Sequence, residues 1–158
     1  MEEEIIVQAV WSDLTQILQI KKESHQYFSK VRPDLYCESE VLYTEELLNL
    51  FFDGNNRKIS VAKIGDRIVG YAFTEFLSIE LPMLTKRKYI YIHDIAVRVE
   101  FQGRGIATQL LKSIENEALR TGATKIELAV HLFNDKALSI YRKKGFKERT
   151  VRMEKELI

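Results

Sequence analysis

The sequence predicts an α/β fold, one mixed sheet with helices on both faces. Three observations carry that expectation. Apolar alternation and helical periodicity follow one another in the order β-α-α-β-β-β-α-β-α-β, and such an order is satisfied by a sheet covered by helices. The middle strands meet at Gly65-Asp66, a hairpin signal that makes that pair antiparallel. The run 89–132 reads strand, helix, strand, which requires a parallel pair joined by a right-handed crossover.

Each element has a local cause. "EIIVQAV" (4–10) is rich in β-branched residues and reads as the first strand. Ser12 is placed to cap a helix through "DLTQILQIKKESHQYF", with Leu14, Ile17, Leu18, Tyr27 and Phe28 on its apolar stripe and Ile20 off it. Pro33 ends that pattern, and "VRPDLYCESE" reads as a loop. Thr44 caps a second helix, "EELLNLFF", whose first-turn glutamates suit the helix dipole, and "DGNN" breaks it. The hairpin strands follow within "RKISVAKIGDRIVGYAFTEFLSI". "YIYIHDIAV" (89–97) is a nearly continuous β-prone run and is expected at the sheet centre. From Gly105 to Arg120 the spacing of Ile106, Leu110, Ile114 and Ala118, widened by Leu111, predicts a helix that Gly122 ends. "KIELAVHL" (125–132) reads as a strand, and Asn134 caps a short helix, "DKALSIYRKK", that Gly145 terminates. "FKERTVRMEKEL" alternates weakly and is expected as a last strand. No repeat, linker or low-complexity tract interrupts the order, so 1–158 is read as a single domain.

The bulk composition narrows the function classes. A chain of 158 residues buries roughly 70% of its unfolded surface as one domain. Its net charge is +1, with 24 basic and 23 acidic residues intermixed, so no field of one sign favours a nucleic-acid partner. "TKRK" (85–88) is the only basic cluster and reads as solvated surface. Cys37 is the only cysteine, which excludes an internal disulfide and a multi-cysteine metal site. A lone thiol sits most easily in a reducing compartment. The start, "MEEEIIVQAV", is acidic where a signal peptide would be basic, and no run nears a membrane span. A cytoplasmic protein with no membrane partner and no metal is therefore expected.

The junction after the central strand carries the chemistry. Of seven glycines, two, Gly103 and Gly105, stand in one strand-to-helix turn, "FQGRGIAT". The first N–H groups of a helix are unpaired and carry about half a positive charge. Reached through a turn lacking side chains, they can converge on an anion such as a phosphate. Arg104 adds a charge there, and Ala107 is the next small residue. A merely tight turn is the competing reading, and on the glycines alone both stay open. "GRGIAT" also nearly matches the dinucleotide fingerprint, with Glu127 roughly 20 residues on. Thr108 replaces its third glycine, and too little chain follows residue 103 for the remaining strand–helix units, so that reading is set aside.

Taken together, "IAVRVEFQGRGIATQLL" resembles the acetyl-CoA motif of the GNAT superfamily of N-acetyltransferases, in which a strand is followed by [RQ]-x-x-G-x-[GA]. Here that pattern is Gln102-Gly103-Arg104-Gly105-Ile106-Ala107. "GATKIELAVHLFNDKALSIYRKKGF" (122–146) is similar to the family's second cofactor region, an Asn seven residues before a Tyr and then G-F. The N-terminal helix with His25 and the Pro33 loop matches less specifically. The likeness spans roughly residues 4 to 155. It implies a mostly antiparallel sheet splayed at the cofactor site, acetyl-CoA as co-substrate, and acetyl transfer to a primary amine by direct attack in a ternary complex. The amides from Gly103 through Thr108 would cradle the pyrophosphate, and the backbone of Ile95, Ala96 and Val97 would pair with the pantetheine arm as an added strand does. Asn134 is matched to a residue that contacts the cofactor. Family members often dimerise, so a homodimer is among the partners the resemblance implies.

Acetyl transfer needs a deprotonated amine, a polarised carbonyl and a protonated leaving sulfur. The resemblance makes Tyr141 the acid that protonates the thiolate; from the residues alone it is equally a core tyrosine, and Asn134 equally a cap. For the base, family members carry a glutamate at the position of Tyr91 or His93, or, in ribosomal-protein alanine acetyltransferases, of Ala129. This chain has a carboxylate at none of them. His93 can substitute, since an imidazole near pKa ~6.5 suits the task. A histidine merely bonded within the sheet, Asp94 acting on a neighbour, and water as proton acceptor are the other readings. Strand alternation places Tyr91, His93, Ile95 and Val97 on one face and Ile92, Asp94 and Ala96 on the other. The acceptor would lie between Ser24 and Phe52 and near Leu81, where Glu38, Glu40, Glu45 and Glu46 read either as ordinary helix-capping and solvated glutamates or as an acidic region that favours a small cationic amine over a protein N-terminus. A catalytically idle acyl-CoA-binding module is the rival class; the missing acid at Ala129 speaks for it, and the retained Tyr141 speaks for the transferase.

Overall fold

The structure, a computed structural model, describes residues 2–158. Its strands are β1 (Glu4–Gln8), β2 (Arg57–Ile64), β3 (Arg67–Ile79), β4 (Arg87–Val97) and β5 (Lys125–Leu128). Its helices are α1 (Leu14–Val31), α2 (Glu45–Asp53), α3 (Ile106–Thr121) and α4 (Asp135–Lys143). The chain divides into two compact units, one ending at Leu128 and one over Ala129–Ile158.

In the first unit the strands lie in sequence order, β1-β2-β3-β4-β5. The first four are antiparallel neighbours, and β5 pairs with β4 in parallel. The sheet is thus mixed and mostly antiparallel, and the hairpin turns at Gly65-Asp66. Helices cover both faces. Ile17 and Ile20 of α1 and Leu48 and Phe51 of α2 pack with Ile59, Val61, Tyr71 and Phe73 on one face. On the other, α3 buries Ile106, Leu110, Leu111, Ile114 and Ala118. Gly70 of β3 is what lets α3 lie so close: a Cβ there would stand 3.1 Å from Ile106 Cγ2 and 3.2 Å from Leu110 Cδ1.

Several local expectations hold and several fail for identifiable reasons. Thr44 caps α2, its side chain accepting from the Leu47 amide at 3.2 Å. Ser12 does not cap α1. A single 3-10 turn, Trp11–Asp13, precedes the helix, and Asp13 fixes it by accepting from the Val10 amide at 3.0 Å and pairing with Lys63 at 2.8 Å. Ile20, off the expected stripe, is fully buried, whereas Tyr27 is exposed. Strand β5 stops at Leu128 rather than residue 132.

The largest departure is in β4. Asp94 pairs with Phe73 and Ile92 with Thr74, so His93 is an extra residue in the ladder, a β-bulge. The bulge resets the alternation. His93 stays on the face of α2, where its ring meets Phe51 at 5.4 Å. Asp94 turns to the same face and reaches Lys21 of α1, and Ala96 packs on that core. Ile95 and Val97, paired with Ala72 and Gly70, turn toward α3. The expected separation of His93 from Asp94 is therefore reversed.

In the second unit Asn134 caps α4, accepting from the Ala137 amide at 3.2 Å. The turn after α4 is closed by Phe146 N–H donating to the Tyr141 carbonyl at 3.0 Å, and the two rings lie 5.5 Å apart. Residues 147–158 form no strand, so the expected last strand is absent. Alternation that weak stabilises an extended segment only when a neighbouring strand pairs with it.

Candidate active site

The parallel ladder between β4 and β5 covers only Tyr89–Ile92 and Lys125–Leu128. Strand β4 continues for five residues, through Ile95, Ala96 and Val97, with no β5 partner. Those three residues are half-buried. The chain then leaves the sheet through a 3-10 turn, Val99–Phe101. Arg98 anchors this exit although it is buried: its Nε donates to the Ile68 carbonyl at 2.8 Å and its guanidinium to Gln19 at 3.0 Å. Glu23 of α1 accepts from the Val99 amide at 2.9 Å. Gln102 reaches back, its Nε2 donating to the Val97 carbonyl at 3.2 Å.

The turn into α3 is bare. Gly105 is its N-cap with φ +85°, Gly103 has φ +76°, and a Cβ at either would meet nothing within 4 Å. The first helical bond runs from Gln109 N–H to the Gly105 carbonyl at 3.0 Å, so the amides of Ile106, Ala107 and Thr108 precede the ladder. Ile106 commits its side chain to the core, leaving only its backbone for a ligand. Arg104 stacks its guanidinium 4.8 Å from the Phe101 ring centre. The structure thus gathers Ile95, Ala96, Val97, Gln102, Gly103, Arg104, Gly105, Ile106, Ala107 and Thr108 along one strand exit and one helix start. Glu127 pairs with Arg87 across the parallel strands, a partner that explains its presence without a ribose.

Two polar clusters flank the bulge on the α1/α2 face. Asp94 Oδ2 accepts from Lys21 Nζ at 2.7 Å, from the Tyr71 hydroxyl at 3.2 Å and from the Tyr43 hydroxyl. Burial pushes both phenols well above the ordinary tyrosine range, and the Asp94 carboxylate adds to the effect. In the second cluster, His93 Nε2 lies 2.7 Å from Glu75 Oε2. Glu75 is buried, and its Oε1 accepts from Arg57 at 2.9 Å and from Asn56 Nδ2 at 3.3 Å. Lys21, Tyr43, Tyr71 and Glu75 line this face, and the sequence reading does not single them out. The one available signal is Glu75, a carboxylate inside the apolar run "GYAFTEFLSI".

The buried phenols give a direct check. A tyrosine raised in the folded state keeps its proton where the unfolded chain would lose it. Its stabilising contribution is complete below about pH 10 and is lost as pH rises further. Absorbance titration near pH 11, about one unit above the ordinary tyrosine value, should leave at least two of the seven tyrosines un-ionised in folded protein, and denaturant should release them. Ionisation of all seven before unfolding would show the cluster to be open to water.

A mixed sheet whose fourth strand outruns its parallel neighbour and passes through two left-handed glycines into a helix is the arrangement that the resemblance to acetyltransferases implies. The chain belongs to the GNAT acetyltransferase family, whose sequence profile, described as Acetyltransferase (GNAT) family, matches residues 16–146. Among curated proteins it is 31% identical over 86 residues to bovine thialysine N-epsilon-acetyltransferase and 34% identical over 86 residues to the pig enzyme, in each case 54% of this chain and 48% of the relative. The chain spans about half the length of these curated relatives. Among solved structures, the tetramutant of the BH1408 protein from Bacillus halodurans superposes with TM-score 0.91 at 24% identity, covering 97% of this chain and 99% of that one. Aminoglycoside N-acetyltransferase AAC(6')-Iy in complex with CoA superposes with TM-score 0.70 at 14% identity, covering 96% and 99%. At these identities the two structures establish the fold alone.

Proposed function

We propose that the protein transfers an acetyl group from acetyl-CoA to the primary amine of a small cationic acceptor, by direct attack in a ternary complex. The observation that carries this reading is the left-handed Gly105 at the start of α3, one short turn beyond a strand end with no parallel partner, in a chain of the GNAT family. The unpaired amides of 106–108 supply donors for a diphosphate, and the backbone of Ile95, Ala96 and Val97 supplies strand-like pairing for the pantetheine amides. Acetyl-CoA, when bound, supplies the thioester carbon. In this reading His93 takes the amine proton, Tyr141 protonates the departing thiolate, and Asn134 touches the cofactor while capping α4. The acceptor class is supported by the exposed glutamates 38, 40, 45 and 46 and by relatives and neighbours named for a lysine analogue and for aminoglycosides. The reading takes 1–158 as one domain in the cytoplasm, with a homodimer among the partners the resemblance implies. The absence of an acid at Ala129 speaks for an idle acyl-CoA-binding module instead.

Calorimetry with acetyl-CoA, followed by thiol-release assays with thialysine, an aminoglycoside and a peptide with a free N-terminus, tests the proposal. Release with either small amine is expected. Binding without release from any acceptor would establish the idle module, and no heat of binding would remove the cofactor.

Gly105→Val tests the cradle itself. A β-branched residue at φ +85° is strained by about 1–2 kcal/mol, and its side chain fills the space a diphosphate would occupy. Acetyl-CoA affinity should fall about 100-fold, more than the roughly tenfold that such strain alone could produce, in a protein of unchanged helical content. Wild-type affinity in that variant would move the anion site elsewhere.

A further inference from the structure

The carboxylates that the resemblance assigns as base are missing from their expected positions, yet a carboxylate does reach the bulge from the neighbouring strand. Glu75 stands on β3 opposite Tyr91, one step along the face from His93. It is buried with both oxygens engaged: Oε1 by Arg57 at 2.9 Å and Asn56 at 3.3 Å, Oε2 by His93 Nε2 at 2.7 Å. The imidazole is held from two further sides, by the Phe51 ring at 5.4 Å and the Tyr91 ring at 4.9 Å, both edge-on. Among the described residues its other nitrogen, Nδ1, has no polar partner. The His93 side chain keeps 39% of its surface open, against 8% for Glu75. One end of the ring is thus fixed in the protein and the rest faces outward.

We infer that Glu75 is the positioning residue of the transfer reaction: by accepting Nε2–H it fixes the tautomer of His93, so that Nδ1 carries the lone pair that takes the acceptor's proton. The inference rests on the acetyl-transfer reading given above. A carboxylate accepts and does not donate, so the nitrogen facing it must carry a hydrogen. In the neutral ring this leaves Nδ1 as the only basic atom. The acceptor arrives as an ammonium. One of its protons passes to Nδ1, directly or through one water, and the freed nitrogen pair attacks the thioester carbon. As the C–S bond breaks, its electron pair leaves with the sulfur, which takes a proton from the acid assigned above. The second proton of the attacking nitrogen replaces that one, leaving an amide and a free thiol. The resulting imidazolium is stabilised at its far end by Glu75, and it returns the proton to solvent. Arg57 holds Glu75 in place throughout. The charged groups around the ring are thus Glu75 and Arg57 from the β2–β3 side and Asp94 from β4 itself, the last engaged by Lys21 at 2.7 Å.

The substitution Glu75→Gln separates this role from a structural one. Arg57 and the Asn56 amide nitrogen are donors, so they hold the Gln oxygen where Oε1 now lies. The Gln NH2 is then turned toward His93, whose facing nitrogen must become an acceptor. Nitrogen-15 spectra of the neutral imidazole, assigned among three histidines by comparison with His93→Ala, should show Nε2–H in the wild type and Nδ1–H in Glu75→Gln. Turnover should fall about 100-fold, the low end of what a positioned base contributes, with acetyl-CoA affinity unchanged. The double variant Glu75→Gln/His93→Ala should be no slower than His93→Ala. An unchanged tautomer in Glu75→Gln, wild-type turnover in that variant, or losses that multiply in the double variant would each overturn the assignment. A wild-type protein that binds acetyl-CoA but releases no thiol with any amine fails in a different way, because the tautomer is read without turnover and the transfer reading alone is then lost.

Discussion

Tyr141→Phe is expected to lower acetyl transfer by about 100-fold or more while leaving acetyl-CoA affinity within about twofold. A general acid placed at a leaving group contributes roughly 10²–10⁴ in rate. Expelling a thiolate without a proton donor forfeits that contribution. The substitution removes one oxygen and keeps the ring, so the packing of residue 141 on Phe146, at 5.5 Å, survives. The carbonyl of residue 141, which accepts from the Phe146 and Lys144 amides at 3.0 Å each, is untouched. The variant therefore keeps both the ring contact and the turn that close α4. Single-turnover thiol release separates the chemical step from product release, and calorimetry on the same preparation gives the affinity. Full activity in the variant would return Tyr141 to the status of a packed helix residue and leave the sulfur to be protonated by water. Equal losses in rate and affinity would make it a binding residue.

What the sequence discloses and what it withholds divide along a physical line. Thr44, Gly65-Asp66, Gly105 and Asn134 are legible because each acts within its own turn: a hydroxyl or amide oxygen on an N–H three residues on, or a backbone conformation that only glycine adopts cheaply. The β4–α3 junction is legible for the same reason, and it is the part of the site that needs backbone alone. The face that carries the proposed base is not. A single inserted residue at His93 moves Asp94 and Ala96 to the opposite side of the sheet from that which alternation assigns, and nothing in "YIHDIAV" marks the slip, because register is a property of two strands. Glu75 acquires meaning only once hairpin pairing sets it beside Tyr91 with Arg57 within reach. Ile20 escapes the stripe of α1 when that stripe is read from the helix ends, whereas the helix is oriented by the contacts of Asp13 and Glu23 with distant residues.

The side chains of this face converge on one ring, and Phe73→Ala should show how far the site depends on it. Phe73 is 1% exposed at the centre of the sheet. Its ring stacks on Tyr43 at 4.9 Å and meets Phe51 at 5.0 Å and Tyr71 at 5.5 Å. Removing a buried phenyl costs about 3–5 kcal/mol, a large share of the roughly 5–15 kcal/mol that holds a domain together. Chemical denaturation should show that loss as a lower midpoint with an unchanged slope. The three rings released are also those that touch the polar clusters, since Tyr43 and Tyr71 donate to Asp94 and Phe51 braces His93. Under conditions where the variant is still folded, turnover should therefore fall. Acetyl-CoA affinity should hold, because the cradle is fixed by Arg98 on the Ile68 carbonyl and by the α3 side of the sheet. A destabilisation below about 1 kcal/mol would mean the aromatic cluster collapses into the gap. Affinity lost in step with turnover would mean that the two faces of the sheet act as one.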